Sequence, residues 1–232
     1  MKTAAKTASH DDAHLEAELL HEMRHPLLGI KAGLELLSRT LGSQLTGLDD
    51  FRLVTAQVAR LEELVRSWQD LFASPLSGAG TFAVEPVVSR AVDLFRHRMR
   101  PFGDRFSYSP HAGAKAHGVA QALFHATSNL VANALDETER GPGRLLVRIL
   151  DAEHQIEVRV SDDGAGIVAA NRDHIFERRF TTKERGSGLG LYIARLLMER
   201  SGGRVWLVAE DDPSRTAWAR TEFAIALPKE RS

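Results

Sequence analysis

The sequence predicts an α+β protein in two parts. An N-terminal helical hairpin pairs with a second copy into a dimeric four-helix bundle, and an α/β sandwich follows. Two observations predict this. Up to Phe72 the apolar residues step by three and four, the spacing of a helix seam. Beyond Gly80, short alternating runs interleave with helical stripes and glycine-rich turns.

Residues 1–14 read as a flexible tail. Met1 to Ser9 is small, polar and weakly basic with no apolar core behind it, so it is not a secretory signal. The first helical series is Leu15, Leu19, Met23, Pro26, Ile30, Leu34, Leu37 and Leu41. The second is Phe51, Val54, Val58, Leu61, Val65, Trp68 and Phe72, broadened by Leu64 and Leu71. A Gly-, Ser-, Thr- and Asp-rich turn from Thr40 to Asp50 separates them, which makes 15–73 an antiparallel pair. Two such helices cannot enclose a core, so the expectation is a homodimer; the alternative is a hairpin packed on the rest of the chain.

At about 100° per residue, and with Leu19 at zero, His21 falls near 200° and His25 near 240°. Both imidazoles therefore point away from the seam, one turn apart. Glu22 stands beside His21 and is able to hold or deprotonate its ring. Pro26 withholds an N–H from the carbonyl of Glu22, so a kink is expected there. A plain surface histidine is the alternative reading of His21.

Residues 74–80 read as a linker and 81–232 as the second domain. Within it, helices are expected over 87–95, 119–138 and 189–201, the last closed by Gly202-Gly203. Strands are expected over 106–108, 145–150, 156–161, 205–209 and 221–226. Three helices on one face of a mixed sheet would make the sandwich. The Gly-, His- and Pro-rich stretch 101–118 resists a reading beyond its one short strand.

Composition excludes several function classes. The chain is 43% hydrophobic and 26% charged, with 30 Lys and Arg against 31 Asp and Glu. That balance gives no reason to expect nucleic-acid binding. With no cysteine there is no disulfide, thiolate or cysteine-metal chemistry, which suits a reducing, cytoplasmic setting. No apolar run approaches the ~20 residues a bilayer span needs.

Three separated segments read together as a nucleotide site. Asn129 and Asn133 share a helix face. Asn133 offers an oxygen to Mg²⁺, and Asn129 supports contacts near the phosphates. Asp162 follows an alternating strand and accepts hydrogen bonds, which suits the exocyclic amine of adenine; Gly164 and Gly166 bring the backbone close. An ordinary Asp-Gly surface turn is the plainer alternative. Gly186, Gly188, Leu189 and Gly190 precede an apolar helix whose first N–H groups suit phosphate oxygens, without the ending of a Walker A motif. Between them, 169–185 reads as a mobile lid anchored by Phe176 and Phe180, with Arg179, Lys183 and Arg185 facing phosphate charge; a charge-rich surface loop is the alternative.

These segments, in this order, resemble the bacterial two-component sensor histidine kinases, in particular the nitrogen-regulation-like branch. His21-Glu-Met-Arg-His-Pro-Leu27 resembles the phosphoacceptor box, and 129–134 the asparagine box. Residues 162–167 and 186–191 resemble the two glycine boxes, and 175–183 the phenylalanine box. The resemblance implies a Bergerat-type fold that uses ATP and Mg²⁺ to phosphorylate His21. A response regulator aspartate would be the next carrier, and a separate sensory protein is a candidate for input. Four departures stand out. His25 replaces the usual Thr or Asn, which puts phosphatase activity in doubt. Arg178-Arg179 replaces Pro-Phe, His125 replaces a common glutamine, and Arg220 replaces the glycine of Gly-Thr-x-Phe. The rival readings are a non-catalytic phosphotransfer or scaffold dimer, and an ATPase of the same nucleotide fold drawing on Asp136 or Glu137.

Overall fold

A computed structural model describes residues 27–42, 45, 48–55, 57–58, 61, 65, 79–138, 143–183 and 188–229. The chain divides into two compact units, Met1–Ser77 and Gly78–Ser232. The expected tail and the His21 box lie outside the described residues.

In the first unit, residues 27–41 are helical, and a second helical stretch occupies 49–55. The first stretch ends where the Gly42 N–H donates to the Ser38 carbonyl at 3.0 Å. Its apolar positions are largely uncovered: Ile30, Leu37 and Leu41 are each about half exposed, and so are Leu53, Val54 and Leu61. Water-exposed apolar surface at helical spacing is costly and calls for a cover.

The second unit opens with β1 (Gly80–Ala83), so the last residue of the expected linker is already strand. It continues with α1 (Val84–Asp93), the short α2 (Arg96–Met99) and a 3₁₀ segment, Arg100–Arg105. Next come β2 (Phe106–Ser109), β3 (Lys115–Gly118) and the long α3 (Ala120–Thr138). Strands β4 (Leu145–Asp151) and β5 (Gln155–Asp162) follow, then α4 (Gly190–Arg200), β6 (Arg204–Leu207) and β7 (Thr221–Pro228).

The main sheet runs β2-β4-β5-β7-β6, with β2 parallel to β4 and the remaining pairs antiparallel. β1 and β3 form a separate antiparallel ribbon, and the Val84 N–H bonds the Ala114 carbonyl at 2.9 Å where α1 begins. Helix α3 packs against α1 on one side and α4 on the other, and lies across β5. The core comes from rows of side chains that register aligns across the sheet. Ile149, Val158, Ile225 and Val205 form one row; Val147, Val160, Phe223 and Leu207 form the next. Leu123, Leu130, Val131 and Leu135 of α3 close over them.

The opposite side of β5 is buried too, but it is polar. Glu157, Arg159 and Ser161 alternate with the core residues, and all are buried. They converge on Glu222, which is fully buried. Its carboxylate accepts from Arg148 at 2.9 Å, Arg159 at 3.1 Å, the Ser161 hydroxyl at 2.8 Å and the Thr216 N–H at 2.9 Å. Thr216 belongs to the segment joining β6 to β7, so this network clamps that segment onto the sheet. Burial pushes the Glu222 pKa up, but bonds from Thr216, Ser161 and Arg148 outweigh it and bring the value down to about 2.

A carboxyl whose native pKa lies below its unfolded one lends stability above the unfolded value, and loses it as pH falls through the native value. The fall from the ordinary value of 4.5 to about 2 corresponds to about 3 kcal/mol. E222Q should therefore destabilise the folded chain by about 3 kcal/mol at pH 7. The deficit should shrink between pH 4.5 and 2, as read by urea unfolding across that range.

Candidate nucleotide site

Most positions of helix α3 are buried. Among its polar residues one stripe, Asn129, Asn133, Asp136 and Glu137, is spaced i, i+4, i+7 and i+8 and half-buried. These residues share a face because a helix repeats near 3.6 residues. A solvent-facing reason for the stripe fails, because other groups close over it.

The first of these is the end of β5. Asp162 is 2% exposed and pairs in register with Leu145 and Thr221. Its Oδ1 accepts the Gly164 N–H at 2.9 Å, and its carbonyl accepts the Arg220 N–H at 2.9 Å. Gly164 brings this turn against α3: a Cβ there would stand 2.7 Å from the Cβ of Glu137. Burial, then the charges of Glu137 and Asp163, push Asp162 up to about 7, against the pull of the Gly164 N–H and Lys183. Gly166 lies on the β7 side, where its nearest neighbour would be the Cβ of Arg220 at 3.8 Å. The Arg220 guanidinium in turn donates to the Gly164 carbonyl at 3.3 Å. The arginine that stands in place of a family glycine thus braces the turn.

The second closing group is the segment expected as a lid. Phe176 meets Phe223 edge-to-face with centroids 6.0 Å apart, and Phe176 and Phe180 both pack against the core. Arg179 adopts φ +67°, rare for a side-chain-bearing residue, and its N–H donates to the Gly188 carbonyl at 3.0 Å. A Cβ on Gly188 would lie 2.6 Å from the Arg179 carbonyl oxygen, so only glycine fits this pinch. Lys183 reaches back to α3. Its ammonium donates to Asn133 Oδ1 at 2.9 Å and Asp136 Oδ2 at 3.1 Å, and pairs with Glu137 Oε1 at 3.2 Å.

The third is the start of α4, where Leu189 is the N-cap position and no side chain caps the helix. Asn129 Oδ1 lies 4.0 Å from where a Cβ on Gly190 would stand. Asn129 Nδ2 is buried and has no hydrogen-bond partner among the described residues. A buried unpaired donor is costly and marks a place where a ligand oxygen fits.

The structure therefore gathers Asn129 with Gly190, Asn133 with Lys183, and Asp162 with Gly164 against Glu137. His21, Glu22, Arg185 and Gly186 lie outside the described residues. His125 is a buried partner of Gln121, with nitrogens 2.6 Å apart. Burial, then the charge of Arg90, push its pKa down to about 4, so the ring is neutral at ordinary pH. Sequence reasoning placed Asp136 and Glu137 near the site only as carboxylates for a rival ATPase; their role as partners of Lys183 was missed. So was Arg98, which pairs with Asp136 at 2.8 Å. The available signal was the acidic pair placed one turn beyond Asn133.

Known proteins resemble this chain in sequence and fold. Residues 118–231 match the family described as histidine kinase-, DNA gyrase B- and HSP90-like ATPase. The chain is 29% identical to the sensor histidine kinase AruS of Pseudomonas aeruginosa over 97% of its own length and 24% of that protein's. It is 33% identical to the signal transduction histidine-protein kinase/phosphatase MprB of Mycobacterium ulcerans, over 82% of this chain and 39% of that one. The chain is similar in sequence to two-component sensor histidine kinases. A solved structure of a mycobacterial sensor histidine kinase MprB superposes with TM-score 0.53 and 25% identity, covering 66% of this chain and 99% of that one. The catalytic domain of histidine kinase ThkA, at TM-score 0.55 and 24% identity, shares the fold and covers 65% of this chain and 95% of that one. The chain spans between about a quarter and two fifths of those curated relatives. Its second unit has the fold of the histidine kinase-, DNA gyrase B- and HSP90-like ATPases.

The Arg179–Gly188 pinch yields an expectation. In G188A the added methyl group has to push Arg179 away, so backbone amides of residues 177–183 should exchange hydrogen at least tenfold faster. The melting temperature should move by only a few degrees, because the pinch lies outside the core; hydrogen-exchange mass spectrometry and calorimetry read the two.

Proposed function

We propose that this chain is a kinase core that binds ATP with Mg²⁺ in its second unit, phosphorylates His21 and passes the phosphoryl group to an aspartate of a response regulator. The observation that carries the reading is the pairing of a buried acceptor with a buried orphan donor, Asp162 and Asn129, at either end of the polar stripe on α3.

The residues fit the nucleotide. Asp162 offers the acceptor that the exocyclic amine of adenine requires. Asn129 Nδ2 and the backbone at the start of α4, with Gly188, Leu189 and Gly190, offer donors for phosphate oxygens, and Gly186 extends that loop. Asn133 Oδ1 is a hard oxygen of the kind Mg²⁺ takes, and Lys183 supplies positive charge beside it. ATP supplies the transferable γ-phosphoryl group. A ring nitrogen of His21 attacks the γ-phosphorus in line, the N–P bond forms, the bond to the β-phosphate oxygen breaks, and ADP leaves. Glu22 orients the imidazole and takes its proton. Positioning and charge stabilisation supply most of the acceleration.

Residues 15–73 would carry the phosphoacceptor and dimerise, 74–80 would act as the hinge, and 81–232 would bind the nucleotide. The uncovered Ile30, Leu37, Leu41, Leu53 and Val54 support a homodimer, since a second hairpin would bury them in a four-helix bundle. Among the described residues no helix is long and apolar enough to cross a membrane, which accords with a cytoplasmic working position for this part. His25 lacks the short hydroxyl or amide that positions water in relatives, so net phosphatase activity toward the regulator should be weak.

Incubation with γ-labelled ATP tests the reading. Wild type should acquire acid-labile label, H21A should lose it and H25A should keep it; equal labelling of H21A and H25A would remove His21 from its role. The pH dependence gives an independent check. Because the native Asp162 pKa lies at about 7, above the ordinary value of 3.8, the neutral acid is favoured in the nucleotide-free fold, and its stabilising effect is lost as pH rises through 7. Adenine requires the ionised acceptor, so ADP affinity should fall on acidification, approaching tenfold per pH unit well below pH 7. D162N should bind at least tenfold more weakly at pH 8 and show a flat profile in a fluorescence titration.

A further inference from the structure

The contact of Lys183 with α3 has a chemistry of its own. Three oxygens from three side chains, Asn133 Oδ1, Asp136 Oδ2 and Glu137 Oε1, converge on one half-buried ammonium within 2.9–3.2 Å. An ammonium has three N–H donors, so the lysine is fully satisfied there. Asp136 is fixed from its other side: its Oδ1 accepts from Arg98 at 2.8 Å. Burial pushes the Asp136 pKa up, but the Arg98 bond and then the charge and bond of Lys183 outweigh it, so the group is ionised.

Withdrawing the lysine would leave two adjacent carboxylates and an amide oxygen facing one another, with Asp162 near enough to feel the charge of Glu137. Like charges in a half-buried place are costly unless a cation replaces the one that left. The oxygens are hard donors of the kind divalent cations select. Arg98 cannot swing in as the replacement without abandoning the Oδ1 contact that orients Asp136.

We propose that Asp136 and Glu137 complete a cation seat with Asn133, and that Lys183 occupies it in the nucleotide-free protein until a divalent cation displaces it. Arg98 is a positioning residue for that seat. The segment before Lys183 is pinned by Arg179 against Gly188 and by Lys183 in the seat, so arrival of the metal is the event that frees residues 180–183. This rests on the kinase reading only for the source of the metal, the Mg²⁺ that accompanies ATP; the seat itself is a property of the nucleotide-free chain.

Mn²⁺ alone, with the full chain and no nucleotide, is the probe, and free Mn²⁺ is counted by electron paramagnetic resonance. K183M should bind Mn²⁺ at least tenfold more tightly than wild type, because the resident competitor is gone. K183M/D136N/E137Q should return to the wild-type affinity or below. R178M removes an equal charge from an exposed position on the same lid and should stay within twofold of wild type. In wild type, saturating Mn²⁺ should speed hydrogen exchange of residues 180–183, and K183M should exchange fast with or without it. The proposal is overturned if K183M binds Mn²⁺ no more tightly than wild type, if the triple variant binds as tightly as K183M, or if R178M matches K183M. ADP binding in saturating Mg²⁺, measured on the same preparations, keeps the two readings apart: its absence throughout, beside the expected Mn²⁺ pattern, would count against the nucleotide reading and leave the seat standing.

Discussion

Burial of β5 on both faces is the constraint from which the rest of the ATP-binding domain follows. A strand covered on one side by helices and on the other by a clamped segment has no solvent to satisfy its side chains. The helix side solves this with Ile156, Val158 and Val160, and the other side with an ion network centred on Glu222. The strand then has to end in something, and it ends in a carboxylate. Asp162 stays buried because Gly164 turns the chain at once and lets α3 come close enough to shut out water. An apolar residue at this position would be easier to bury, but it would offer no acceptor to an adenine base.

Helix α3 answers β5 from above. Its length and mostly buried surface make it the element on which α1, α4 and the sheet all pack. The polar stripe is an interruption tolerated only because partners meet it: Lys183 at Asn133, Asp136 and Glu137, Gly164 at Glu137, and Gly190 at Asn129. The side-chain donor in the stripe that is buried with no partner among the described residues, Asn129 Nδ2, lies beside the start of α4, which has no side-chain cap. Local stability has been given up at that point, and such concessions gather where a ligand supplies the missing bond.

Much of this was legible in the sequence, for physical reasons. The period of α3 and the alternation of β4, β5 and β7 survive because each has one face in a continuous core. Glycine pairs announce α4 at both ends. The ribbon of β1 and β3 escaped notice because four-residue strands with a single fully buried side chain in β3, Ala116, carry no readable period. Helix α1 begins at Val84, three residues ahead of the expected Val87, with Pro86 in its first turn, where no backbone N–H is needed. Glu222 was invisible for a different reason. An acidic residue between Thr221 and Phe223 reads as the exposed side of a strand, and only register shows Ser161 opposite it with two arginines beside it. The Lys183 contacts span about fifty residues of sequence, and no local pattern encodes a partner at that distance.

The two ends of the site are electrically linked through Glu137. It lies beneath Gly164, where its charge raises the pKa of Asp162, and it also pairs with Lys183, whose charge lowers it. Lysine and glutamate therefore act on Asp162 with opposite signs. If the lysine left and nothing replaced it, Glu137 would act unopposed and Asp162 would hold its proton more tightly, weakening the acceptor proposed for the base. A divalent cation in the proposed seat would restore the opposition with twice the charge. In the proposed site the base end and the phosphate end would thus favour occupation together, through Coulomb interactions over a few ångströms, with no movement of the strand or of α3 required.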